Sequence, residues 1–196
     1  MASQHLTPDR YAAQPWRNGL GTSRTIASAT DPAGRLCWTL SLTAITQDCP
    51  FSDYRGYDRV FTPVTGNGVT LAIDGGMPQR IDRVDHPFAF TGDARVECRL
   101  LGGSVEVINA MVARDWGLQT VTMLRGEPLD YPITAPIVLI HALRGPVSIS
   151  LHGQKFALAP GDTLRLDDET GGRAELALAP GAAAYAVAFQ PLARPA

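Results

Sequence analysis

The sequence predicts an all-β protein with little helix, and three observations predict it. Short runs of period-two alternation recur along the chain, Gly or Pro punctuates nearly every gap between them, and no segment keeps a capped helical stripe over three turns. Many short strands at regular spacing are the pattern of an antiparallel sandwich or barrel.

Leu36-Cys37-Trp38-Thr39-Leu40-Ser41-Leu42-Thr43 is the clearest strand, because large apolar residues alternate with small or polar ones as on a strand with one buried face. Strands follow at 59–64, 69–74, 87–90, 95–101 and 105–113, separated by the turn signals Gly66-Asn67-Gly68, Gly75-Gly76, Gly92-Asp93 and Gly102-Gly103. Beyond Gly117 the pattern resumes at 118–124, 137–143, 147–151, 155–159, 163–166, 174–179 and 183–189. Helix is expected only as a turn or two within 48–56. The turn Pro160-Gly161-Asp162 between two strands recurs in cupin barrels, and its residues suit a tight hairpin by their φ preferences and local hydrogen bonding.

Glycine spacing suggests duplication. Gly75 and Gly153 lie 78 residues apart, as do Gly103 and Gly181, while Gly66 and Gly145 lie 79 apart; each pair flanks comparable strands, 69–74 with 147–152 and 105–111 with 183–189. The working organisation is two related β-units, 1–116 and 117–196, dividing near 116–136 and packed as one compact pair.

A chain of 196 residues can bury a sizeable core. Its net charge is −2 and no window concentrates Lys and Arg without interleaved acids, so the electrostatic footprint of a nucleic-acid binder is missing. No 18-residue apolar run is present to cross a membrane as a helix, and residues 1–10 lack the apolar core of a signal peptide, which predicts a cytoplasmic location without membrane association. The three cysteines, Cys37, Cys49 and Cys98, are odd in number and share no C-x-x-C spacing, which favours reduced thiols over a disulfide framework or zinc site.

Chemistry concentrates in three segments. Pro15-Trp16-Arg17-Asn18-Gly19-Leu20-Gly21-Thr22-Ser23-Arg24 gathers an indole, two guanidiniums, a carboxamide and hydroxyls around two glycines. Arg presents a planar fork that fits carboxylates and Asn both donates and accepts, so a small polar ligand suits this loop. The bland reading is that Trp16 plugs the end of a barrel while Arg17 and Arg24 sit in solvent. Phe51-Ser52-Asp53-Tyr54-Arg55-Gly56-Tyr57-Asp58-Arg59 again mixes aromatics, arginines and carboxylates at a turn. In 105–114, period two puts Val105, Val107, Asn109 and Met111 on one face, with Arg114 at the end. A carboxamide among apolar residues costs about 1–3 kcal/mol if left unpaired, so Asn109 needs a partner, either backbone or a ligand.

Other chemistries find little support. The histidines His5, His86, His141 and His152 form no H-x-H or H-x-x-x-H pair, and His5 lies in a terminus expected to fray, so no metal site is expected. No G-x-S-x-G elbow, Walker or dinucleotide glycine pattern occurs, and Asp82/Asp85 and Asp167-Asp168-Glu169 read as solvated turns. Binding chemistry without a cofactor remains.

With these segments read, the sequence resembles the HutD/Ves family of cupin-like proteins associated with histidine utilisation in bacteria. Residues 15–24 resemble its tryptophan, asparagine, glycine-rich, threonine and arginine signature; Phe51-Ser52 with Gly56-Tyr57-Asp58-Arg59, Phe90-Thr91-Gly92-Asp93 and Asn109-Ala110-Met111 resemble three further blocks. The chain departs at Leu20, where the family has an unbroken glycine run, and at Val107, where it has an acidic residue. The resemblance implies two fused cupin-like (RmlC-type jelly-roll) β-barrels, a bicupin, without the usual metal, and a role in tuning histidine catabolism through an intermediate such as urocanate or formylglutamate. The expectation is a metal-independent, non-enzymatic protein for a small carboxylate, with Trp16, Arg17, Asn18, Arg24, Phe51, Asp58, Arg59, Asn109 and Arg114 as ligand-binding residues. Trp16 and Phe51 would form an apolar wall, Asn18 and Asn109 would orient the ligand, and Arg24 or Arg59 would pair with its acid group. The alternative is a metal-independent isomerase or lyase with Asp58 as general base. Barrel edges also pair between subunits, so a homodimer is expected.

Overall fold

The computed structural model describes residues 2–126, 128–168 and 170–193. Glu169 of the acidic turn lies outside them. Among the described residues the chain is nearly all strand: β1 (Ala2–Leu6), β2 (Ala12–Pro15), β3 (Thr22–Thr30), β4 (Leu36–Ile45), β5 (Cys49–Pro50), β6 (Tyr57–Thr65), β7 (Val69–Ile73), β8 (Gln79–Ile81), β9 (Phe88–Thr91), β10 (Val96–Leu100), β11 (Val105–Ala113), β12 (Gly117–Arg125), β13 (Leu129–Pro132), β14 (Ile137–Arg144), β15 (Val147–Leu151), β16 (Gln154–Leu158), β17 (Thr163–Asp167), β18 (Arg173–Leu178) and β19 (Ala183–Pro191). The helical turn expected within 48–56 is instead β5 and an irregular loop, and a 3-10 turn falls at Pro8–Arg10.

The strand order repeats. One half of the chain has sheets β5-β10-β7-β8 and β2-β3-β4-β11-β6-β9; the other has β13-β18-β15-β16 and β1-β17-β14-β19-β12. Adding eight to each strand number turns β5-β10-β7-β8 into β13-β18-β15-β16 and β4-β11-β6-β9 into β12-β19-β14-β17. Both sets of eight strands therefore carry the same antiparallel jelly-roll connectivity. The glycine spacing is its trace, since each of those glycines closes an equivalent turn.

Residues Tyr11–Gly117 form one compact unit; the described residues before Tyr11 and after Gly117 form the other. The organisation expected from sequence gave residues 1–10 to the N-terminal half. Instead β1 pairs along β17, from Ala2↔Asp167 to Leu6↔Thr163, and the His5 Nε2 lies 2.9 Å from Asp162 Oδ2. The expected frayed terminus is thus an edge strand, added to its sheet by main-chain pairing that a polar sequence such as Ala2-Ser3-Gln4-His5 does not advertise.

The second unit's interior is aliphatic, with Leu124, Ile133, Val138, Ile140, Ile149, Leu164 and Leu176 packed between its sheets. The Tyr11–Gly117 unit fills only part of its interior in that way. Ile45, Phe61, Val69, Leu71, Val96, Val105 and Val107 make a core, into which Cys49 and Cys98 pack as opposite residues of β5 and β10. Burial pushes the Cys98 thiol up to about 12, so it behaves as a small apolar side chain. The rest of that interior is a cavity.

Candidate ligand-binding site

The cavity of about 400 Å³ lies wholly within the Tyr11–Gly117 unit. Its floor is a set of cross-strand rows. Thr25, Ser41, Asn109 and Phe61 face one another across β3, β4, β11 and β6, and Ser28, Thr39, Met111, Arg59 and Phe90 form the next row, ending on β9. A bulge in β3 between Thr25 and Ala27 resets the alternation, so that Ser23, Thr25 and Ser28 all line the cavity. Two loops complete the wall, bringing Trp16 and Arg17 from one side and Phe51, Ser52 and Tyr54 from the other.

Of the residues expected to bind a ligand, Trp16, Arg17, Phe51, Arg59 and Asn109 line this cavity. Asn18 lines a shallower neighbouring recess, where its Nδ2 donates to the Pro50 carbonyl at 3.0 Å and its backbone N–H to Ser52 Oγ at 3.4 Å, tying the two loops together. Arg24 is directed elsewhere, with its Nη2 3.3 Å from Glu106 Oε1. Its neighbours Ser23 and Thr25 face inward, and a strand sends consecutive side chains to opposite faces.

The same rule separates Asp58 from Arg59. Arg59 enters the cavity, whereas Asp58 accepts from Arg114 Nη1 at 3.2 Å, so the general-base role expected for Asp58 has no cavity beside it. Arg114 is likewise structural in position. It donates to the Tyr57 carbonyl at 3.1 Å and the Thr91 hydroxyl at 2.9 Å, and is ion-paired with Asp93, which in turn accepts from the Gly56 N–H at 2.8 Å. This buckle joins β6, β9 and β11 to the loop that carries Tyr54.

Arg59 is the electrostatic centre. It is 7% exposed, its Nε has no hydrogen-bond partner, and among the described residues its guanidinium makes no ion pair. Instead it sits 4.9 Å from the Phe90 ring centroid, 5.2 Å from Phe51 and 5.5 Å from Tyr54. Burial lowers its pKa from 12.5 to about 10, which leaves it charged at neutral pH. Cation–π contacts offset part of the desolvation cost, at about 2 kcal/mol where the cation is dehydrated, but they supply no hydrogen-bond acceptor. Arg17 stacks 4.1 Å over the same Tyr54 ring. Among the described residues no Asp or Glu lines the cavity.

Asn109 is 8% exposed and its Oδ1 is also unpartnered. Beside it the hydroxyls of Ser23 and Thr43 lie 2.6 Å apart, and the Trp16 indole N–H donates to Ser23 Oγ at 2.9 Å. The hydroxyl row Thr39, Ser41 and Thr43 was missed as a site feature. All three are buried, at 7%, 7% and 5% exposed, so what reads in sequence as the polar face of β4 is a cavity floor. Their alternation with Leu40 and Leu42 predicts one buried face, whereas β4 is buried on both.

A metal does not fit this lining, which contains no His, Asp or Glu. Among the described residues no three His, Cys, Asp or Glu side chains converge, and no helix is long and apolar enough to cross a membrane.

Residues 8–186 match the protein-family model described as HutD. A Pseudomonas putida protein, described as an uncharacterized 21.2 kDa protein in the hutC 3' region, is 31% identical over 166 residues, covering 84% of this chain and 86% of its own length. Among solved structures, a conserved Pseudomonas aeruginosa protein of unknown function is 31% identical with a TM-score of 0.88, covering 97% of this chain and 100% of that one. HutD from Pseudomonas fluorescens, determined in a formate condition, is 25% identical with a TM-score of 0.84 over 98% of this chain and 100% of its own. A cupin 2 conserved barrel domain protein from Leptotrichia buccalis, 14% identical with a TM-score of 0.58 over 96% of each chain, shares the cupin fold alone.

Proposed function

This chain belongs to the HutD family, and from that premise we propose that its Tyr11–Gly117 unit is a metal-independent receptor for a small carboxylate, acting as a regulator of histidine utilisation rather than as an enzyme. One observation carries the reading: a buried, charged Arg59 that pairs with no carboxylate side chain among the described residues. An unpaired buried charge costs several kcal/mol, and a carboxylate arriving at a bidentate fork repays it with charge-assisted hydrogen bonds. The second guanidinium, Arg17, and the absence of acidic lining favour ligands of net negative charge. Trp16, Phe51 and Phe61 offer apolar surface to a planar or aliphatic body, and Asn109 with Ser41 offers donors and acceptors to its polar end.

Urocanate, with one carboxylate, and N-formylglutamate, with two, have this chemistry on a short body with no ammonium group. The names of the Pseudomonas putida and Pseudomonas fluorescens relatives support a setting in histidine utilisation. A thermal-shift panel of formate, urocanate, N-formylglutamate and glutamate tests the proposal. N-formylglutamate or urocanate at a hundred times its Kd is expected to add about 2.7 kcal/mol, or roughly 5–10 °C. Glutamate, whose ammonium meets two guanidiniums, is expected to shift the midpoint less. A panel without any shift, or equal shifts for glutamate and its formylated form, overturns the reading.

A further inference from the structure

The Trp16 wall is held from three directions. Its backbone N–H donates to the Gly21 carbonyl at 2.8 Å and its own carbonyl accepts from Gly19 N–H at 2.9 Å, so residues 16–21 form a tight loop at the end of β2 and β3. Its indole N–H reaches the Ser23 hydroxyl in the cavity floor. The third restraint is steric. A Cβ placed on Gly21 would stand 2.8 Å from three ring carbons of Trp16, Cε2, Cζ2 and Cη2, closer than real Cβ atoms approach.

Gly19 and Gly21 are therefore glycines for different reasons. Gly19 has φ +72° with nothing near its missing side chain, so it serves the backbone turn. Gly21 is absent from the positive-φ glycines, so its backbone needs no glycine; the indole does. An aromatic ring anchored at its N–H is not the free end of a flexible side chain. Any residue larger than glycine at position 21 must therefore push the ring toward the cavity or shift the loop.

We propose that Gly21 is a positioning residue: it lets the Trp16 indole lie back on its own loop, and so sets the width of the cavity and the shape of ligand admitted. The proposal rests on the binding reading above for its consequence, but not for its geometry. It touches no ligand; it acts through Trp16.

The test uses full-length protein labelled with 5-fluorotryptophan, with the Trp16 resonance assigned by its loss in Trp16→Ala. In the ligand-free protein Gly21→Ala is expected to move the Trp16 resonance while the Trp38 and Trp116 resonances stay in place. By titration calorimetry, Gly21→Ala is expected to weaken N-formylglutamate binding about tenfold, and to have no further effect in the Trp16→Ala background. An unmoved Trp16 resonance overturns the proposal. So does an equal loss of affinity in both backgrounds, which would mean that residue 21 acts independently of the indole. Where the wild type binds urocanate and not N-formylglutamate, urocanate is the titrant; where it binds neither, the binding reading falls, and the fluorine resonance alone decides the placement of Trp16.

Discussion

At Arg59 a full charge is held against three aromatic faces, an arrangement that costs stability. Replacing it by methionine keeps an unbranched side chain as long as the arginine stem out to Nε and removes a charge that, among the described residues, has no ion pair. Ligand-free Arg59→Met is therefore expected to melt between the wild-type midpoint and roughly 5 °C above it, a gain of up to about 2 kcal/mol. Calorimetric scanning checks this. A fall of more than 5 °C would mean that the cation–π contacts, rather than ligand recognition, account for the residue. Legibility at this scale followed the alternation rule. Asn109 was readable as inward because it shares a face with Val105, Val107 and Met111. Asp58 and Arg24 lie outside the lining because each is adjacent in a strand to a cavity residue and points the other way.

Among the elements, the buckle around Asp93 fixes the loop that carries Tyr54. The Thr91 hydroxyl, then the Gly56 N–H and the Arg114 guanidinium, hold the Asp93 carboxyl at about 2, against an ordinary 3.8. Its folded-state pKa lies below the unfolded value, so its contribution is complete above the unfolded pKa and is lost as pH falls through the folded one. Urea midpoints are thus expected to decline between about pH 4 and about pH 2, and Asp93→Asn to flatten that part of the profile. An unchanged acid limb in Asp93→Asn would assign the decline to other carboxylates. No sequence pattern announced this network. Arg114, Asp93 and Gly56 are far apart along the chain and meet only because β6, β9 and β11 are neighbours.

Over the whole molecule, two eight-strand jelly rolls with one connectivity have taken different interiors, one filled by aliphatic side chains and one left partly open and lined with hydroxyls, aromatics and arginine. The strands with apolar alternation were legible in the sequence. β2 and β3 were not, because Ala12–Pro15 is exposed and the inward positions of Thr22–Thr30 include Ser23, Thr25 and Ser28, which look solvated. β1 was hidden for a different reason, since its partner β17 lies more than 150 residues away. Deleting residues 2–6 is expected to speed amide exchange in β14 and β17 while leaving β3, β4, β6 and β11 unchanged. Exchange mass spectrometry that finds equal acceleration in both sets would contradict the assignment of β1 to the second unit.

Whether Arg59 holds a ligand's carboxylate is decided by a calorimetric titration of N-formylglutamate and urocanate into wild type and Arg59→Met, both shown to be folded. Loss of a desolvated charge pair costs roughly 2–5 kcal/mol, so at least one of the two acids should bind the wild type and lose thirtyfold or more of its affinity in the variant. Equal affinity for both proteins would contradict a carboxylate-binding role for Arg59.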